Sequence, residues 1–160
     1  MCLICGEENH AGLHGQFLET QEGDLIGVFT ALDEHQSYPE RAHGGISGAI
    51  LDELIGRAIW MQDDTVWGVT IDLELKYRQP VPLDQVIYGR ARITEDRSRT
   101  FAGTGEILLA NGAVAVEAKG RYLKLAPSAI VPDMHEQDIM RADTRPWPQT
   151  IQFDEVKRHG

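Results

Sequence analysis

The sequence predicts an α+β fold in which one antiparallel sheet wraps a single long helix. Residues 45–61 repeat apolar side chains at helical spacing, and no other stretch does so as strongly. The segments on either side alternate apolar and polar residues, the period-2 signature of half-buried strands. Turn-forming residues separate those segments at short intervals, so a run of strands and one helix must bury each other's apolar faces.

In chain order, residues 16–31 read as two short strands, with QFLET and DLIGVFT around the turn-former QEGD. The polar loop DEHQSYPERA leads into the helix, where Ile50, Leu51, Leu54, Ile55, Ala58 and Met61 form one apolar arc. Next comes a strand with Val69, Ile71, Leu73, Leu75 and Tyr77 on one face and Thr70, Asp72, Glu74, Lys76 and Arg78 on the other. Pro80 and Pro82 stop its ladder, since proline has no N–H to donate. Three further strands follow at 86–94, 100–110 and 113–124, the last two joined at Asn111-Gly112 by an expected two-residue primed turn. Residues 1–125 therefore read as one domain, opened by a Cys-x-x-Cys loop. Residues 126–160, with Pro127, Pro132, Pro146 and Pro148, read as an extension: a surface arm with a short helix near 133–142.

The 160 residues suffice for one domain that buries about 70% of its unfolded surface, so no disulfide or metal is needed to hold it together. No apolar run approaches the ~18 residues of a membrane span. The opening MCLICGEENH lacks the pattern of a secretory signal, which predicts a cytoplasmic protein. With 15 Lys and Arg against 25 Asp and Glu, the net charge of −10 argues against a nucleic-acid partner.

The chemistry concentrates around the helix. Asp52 lies opposite the apolar arc, where a solvated face would carry Lys and Glu. Instead Gly45, Gly48 and Gly56 all fall within about 40° of it on the wheel. Each interior glycine costs a helix about 1 kcal/mol relative to alanine, so the small-residue side predicts close approach of another backbone, a subunit or a ligand. A carboxylate confined there is a candidate general base or nucleophile. Glu53, with Arg57 at i+4, reads as a surface ion pair. His43-Gly44-Gly45 opens the helix, where N–H groups lack intrahelical acceptors and carry the positive end of the dipole. Gly44 and Gly45 allow a carbonyl oxygen to reach those donors, as an oxyanion site requires. Ser47 lies within the helix and lacks the strand-to-helix elbow of a serine nucleophile. Cys2, Cys5, His10 and His14 have the ligand types for tetrahedral zinc, but the C-x2-C-x4-H-x3-H spacing is no standard finger, and the reading assigns no metal.

HQSYPERAHGGISGAILDELIG followed by VTIDLELKYRQPVPL resembles the hotdog-fold acyl-CoA thioesterases, particularly the phenylacetate-pathway-like branch. CLICGEENHAGL resembles the opening of many members, and the likeness spans about residues 2–125. It implies a hotdog fold, a cofactor-free thioester hydrolase and a homodimer or homotetramer. It also implies Asp52 as the catalytic acid that activates water or attacks the thioester. Gly44 or Gly45 would be the N–H that polarises the carbonyl, and Thr70 a hydroxyl contributed across the dimer. Gln36 and His43 become substrate contacts. For the phosphates of coenzyme A, Arg90, Arg92, Arg97 and Arg99 are the candidate cations. Trp60, Met61 and Trp67 stand between an acyl pocket and plain core. The D-x-N-P-x-H pattern of the fold's hydratases is absent, as is any DNA-binding segment. A non-catalytic acyl-CoA-binding module and a zinc-stabilised interaction module are the alternatives.

Overall fold

In the computed structural model, which describes residues 1–131 and Asp133, the helical pattern becomes α1 (Gly44–Ala58), extended by a single tight turn over Ile59–Met61. Ile50, Leu51, Leu54, Ile55 and Ala58 are almost wholly buried, so the predicted arc is the helix's core face. Met61 is only partly buried beside it. Six strands surround the helix: β1 (Gln16–Glu19), β2 (Leu25–Thr30), β3 (Trp67–Tyr77), β4 (Val86–Asp96), β5 (Thr100–Leu108) and β6 (Val114–Leu125). They form one antiparallel sheet in the order β1-β2-β4-β5-β6-β3, the predicted sheet around a single central helix. β6 ends at Leu125, and one turn of helix, α2 (Pro127–Ile130), follows. The helix expected near 133–142 lies outside the described residues.

Glycines let the sheet close on the helix. A Cβ at Gly89 would stand 2.0 Å from a Leu54 methyl, and one at Gly103 2.7 Å from an Ile55 methyl. The helix's large aliphatics therefore fill the space that β4 and β5 leave open. Leu54→Ala is expected to lower stability by about 2–5 kcal/mol, because no side chain can collapse from those glycines into the void. A urea titration reads this as a lower unfolding midpoint with little change in slope.

The connection from β5 to β6 is not the expected two-residue primed turn. Gly112 has φ of 78° but Asn111 does not have positive φ, and the Gly112 N–H donates to Leu109 O at 2.8 Å. This is a type I turn closed by a left-handed glycine, the three-residue hairpin form. Thr20–Asp24 uses the same device, with Gly23 at φ 82° donating to Thr20 O.

β3 holds the feature that matters most for the site. Its pairing with β6 slips between Thr70 and Asp72, leaving Ile71 as the extra residue of a bulge. Strict alternation puts Thr70 on the face opposite Leu73, Leu75 and Tyr77. The bulge reverses that parity, and Thr70 faces the helix with Leu75 and Tyr77 while Ile71 is exposed. β3 is also a sheet edge, eleven residues long, carrying exposed Val69, Ile71 and Tyr77.

Candidate active site

Asp52 projects from the middle of α1 into the space between the helix and the β3–β6 pair. Its Oδ1 accepts from the Thr70 hydroxyl at 2.9 Å and from the Tyr122 hydroxyl at 3.1 Å. Thr70 and Tyr122 are themselves partners across the β3–β6 ladder, so one rung delivers both donors to one oxygen. Oδ2 has no donor among the described residues and is the oxygen free to do chemistry. Thr70 meets Asp52 of its own chain, which corrects the expectation of a hydroxyl contributed from across the dimer.

Tyr122 escapes sequence reasoning because it lies 70 residues beyond Asp52 and reads as an ordinary strand aromatic. Its ring is buried and stacks on Phe101 at 4.9 Å. Burial, and secondarily the charge of Asp52, push its pKa above the usual tyrosine value. The phenol therefore stays a neutral donor throughout the working pH range. Tyr122→Phe keeps the stack and deletes only that donor. It is expected to cut kcat about tenfold with KM nearly unchanged, and to lower stability by about 1.5–3 kcal/mol. Initial rates and a thermal melt check both.

At Gly48 and Gly56 the glycine-lined side of α1 is packed by this chain's own side chains. A Cβ at Gly48 would meet Leu75 at 3.1 Å, and one at Gly56 the Tyr122 ring at 3.3 Å. Tyr77 lies over Gly44 and donates its hydroxyl to the Gly44 carbonyl at 2.8 Å. The small residues thus let β3 and β6 come close enough for Thr70 and Tyr122 to reach Asp52.

At the start of α1, His43 is the N-cap: its Nδ1 accepts from the Gly45 N–H at 2.9 Å. That occupies the Gly45 donor and leaves the Gly44 N–H, which has no intrahelical acceptor, as the better oxyanion donor. The loop before it is anchored by His35, a buried residue the sequence reading passes over. Its Nδ1 accepts from Leu32 N–H at 2.9 Å and its Nε2 donates to Ala11 O at 3.0 Å. The His43 N–H in turn donates to His35 O. Gln36 is exposed on this loop, its side-chain oxygen accepting from the Glu40 N–H at 3.1 Å.

Asp52 lies eight positions after Gly44, about 12 Å along the helix axis at 1.5 Å per residue. A carbonyl held by the Gly44 N–H is out of reach of an attack directed by Asp52 of the same chain, since both must lie within about 3 Å of the reacting group.

The predicted arginines do not converge on Asp52. Gly89 and Ala91 of β4 face the helix, so Arg90 and Arg92 project from the opposite side of the sheet. There they pair with Glu106 and Asp24, both at 2.7 Å, and line a shallow cavity of about 260 Å³. Arg97, paired with Glu95, and Arg99 are exposed at the β4–β5 turn. Trp60 and Trp67 pack together at 6.4 Å, with the Trp60 indole donating to Val66 O, and Met61 is part of the core's margin.

Glu53 forms the predicted i,i+4 ion pair with Arg57 and has a further partner in the N-terminal loop. It is partly buried, accepts from Arg57 at 3.2 Å and from the Cys5 thiol at 3.8 Å, and burial raises its pKa. The N-terminal loop thus docks on α1 beside the site.

This architecture, one helix wrapped by a six-stranded antiparallel sheet with an acid at mid-helix, is the hotdog fold of the thioesterases. Residues 40–116 match the family model described as Thioesterase superfamily. Among individual relatives, acyl-coenzyme A thioesterase 13 of Homo sapiens is 24% identical over 102 residues, which cover 64% of this chain and 72% of that one. A crystal structure of a thioesterase superfamily protein superposes with TM-score 0.69 at 26% identity over 76% of this chain, and the match spans 62% of that protein's length. A phenylacetic acid degradation-related protein from Ralstonia eutropha superposes with TM-score 0.63 at 22% identity, covering 69% of this chain and 85% of its own.

Proposed function

We propose that this protein is an acyl-CoA thioesterase that hydrolyses its substrate to a free acid and coenzyme A without a cofactor. The observation that carries the reading is Asp52, held at Oδ1 by Thr70 and Tyr122 with Oδ2 left free. Oδ2 would take a proton from a water molecule as that water adds to the thioester carbonyl, or would itself add to the carbonyl. The negative charge that develops on the carbonyl oxygen needs a donor, and the Gly44 N–H at a helix N-terminus supplies one. Collapse of the tetrahedral intermediate expels the coenzyme A thiolate, leaving the free acid on the water route or, on the direct route, an acyl anhydride on Asp52 that water then hydrolyses to the acid and the carboxylate. Similarity to acyl-coenzyme A thioesterase 13 supports this substrate class, and the likeness to the Ralstonia eutropha protein supports the phenylacetate-pathway-like branch.

The separation of donor and acid residues, about 12 Å along the helix axis, makes the functional unit a homodimer in this reading. β3 is a long exposed edge with unpaired backbone groups, suited to a second copy. Two-fold antiparallel pairing of two β3 strands sets the Thr70 end of one against the Tyr77 end of the other. Tyr77 holds Gly44, so the pairing brings the helix start of the partner to the Asp52 of this chain. Gln36 and His43 travel with it as substrate contacts. Pairs of such dimers would make the tetramer that the resemblance implies.

Thiol release from a panel of short, branched, aromatic and long-chain acyl-CoAs tests the reading, with the background from Cys2 and Cys5 subtracted. Turnover of at least one class is expected. Tight binding with no hydrolysis of any would overturn the enzyme in favour of a binding module using the same pocket.

A further inference from the structure

We propose that Cys2, Cys5 and Glu53 form a binding site for a thiophilic divalent metal ion, zinc above all, which fastens the N-terminal segment to α1. The two sulfurs and a carboxylate oxygen lie within 4.8 Å of one another, although Glu53 is 48 residues from Cys5 in sequence. With Zn–S bonds of about 2.3 Å and tetrahedral angles, ligand atoms stand about 3.8 Å apart, so about an ångström of closure by the loop would complete the geometry. The Cys2–Gly6 turn is already shaped for it. The Ile4 N–H points at Cys2 Sγ at 3.3 Å, a donor that stabilises a thiolate ligand. Gly6 is required by the turn, since a Cβ there would stand 2.5 Å from Cys2 N and 2.6 Å from Cys2 O.

Charge also fits. Two thiolates and a carboxylate carry three negative charges, and Arg57, 3.2 Å from Glu53, supplies one positive charge. A divalent ion brings the cluster to neutrality, which a partly buried site favours. Three protein ligands on a half-exposed loop leave the fourth position to water. The set differs from the one that spacing suggested: His10 and His14 give way to Glu53, which comes from the helix.

The segment gives the ion something to do. Ile4 and Leu13 are buried in the core, and Gly15 N–H donates to Ile4 O, but residues 1–15 contain no regular element. A metal at Cys2, Cys5 and Glu53 would tie this irregular stretch to the residue adjacent to Asp52.

The test adds cobalt(II), and separately zinc, to the fully reduced, metal-free protein. One cobalt per chain is expected, with a near-ultraviolet thiolate charge-transfer band and the strong visible bands of four-coordinate cobalt. Zinc should displace it and raise the melting temperature. Cys5→Ser should abolish the charge-transfer signal or weaken affinity more than about 100-fold, beyond the usual effect of losing an outer-shell partner. Glu53→Gln should weaken it at least about tenfold. The melting curves of both variants without metal show whether they remain folded. Absence of the thiolate band from the reduced wild type would overturn the site, as would unchanged affinity in folded Glu53→Gln. Neither outcome bears on thioester hydrolysis, which is read separately.

Discussion

Asp52→Asn is expected to lower kcat/KM on the best acyl-CoA substrate by at least about 100-fold, or ~2.7 kcal/mol of transition-state stabilisation. The amide is the right replacement because its oxygen still accepts from Thr70 and Tyr122, so the ladder rung that grips the side chain survives. What is lost is the charge and basicity of Oδ2. Circular dichroism and the melting temperature should stay close to wild type, which separates a chemical defect from a folding one. A variant that keeps more than about a tenth of wild-type activity would exclude Asp52 as base or nucleophile. Thr70→Ala provides the graded comparison. It removes one of two donors to Oδ1 and should cost less than Asp52→Asn, since Tyr122 still holds the carboxylate.

The sequence exposes the elements of this site more readily than their assembly. Helical and strand periods find α1 and all six strands, and the glycines opposite the apolar arc draw attention to Asp52. What a helical wheel does not show is that part of this side is packed from within the chain, by Leu75 at Gly48 and Tyr122 at Gly56. Long-range pairing is invisible to a local pattern, and so Tyr122 goes unnoticed. The bulge at Ile71 is equally hidden, because a strict period-2 reading has no place for an extra residue. Yet that residue decides which face Thr70 takes and therefore whether the site exists. Glu53 shows the same limit. An i,i+4 partner at Arg57 gives it a complete local explanation, and only the docking of the N-terminal loop shows the thiols beside it.

Gly44→Pro should be nearly as damaging as Asp52→Asn while leaving the fold intact. Gly44 is the first residue of α1, the one helical position where proline is favoured. His43 before it has φ −63° and ψ 138°, the extended conformation that a following proline requires. The Tyr77 ring lies 3.3 Å from where a Cβ would be, and this exposed side chain can give by a few tenths of an ångström. The substitution therefore removes the proposed oxyanion donor and little else, with an expected loss of about 100- to 1,000-fold in kcat. Mixing the two inactive variants then tests the composite site directly. If each site takes Asp52 from one subunit and Gly44 from the other, a hybrid dimer contains one site with both defects and one with neither. Random exchange at equal concentrations makes about half the dimers hybrids, so activity should recover to about a quarter of wild type. Complementation at that level requires a shared site. Mixed samples that remain as inactive as their parents, with hybrid dimers present by native mass spectrometry, would place donor and acid in the same chain and overturn the dimeric arrangement.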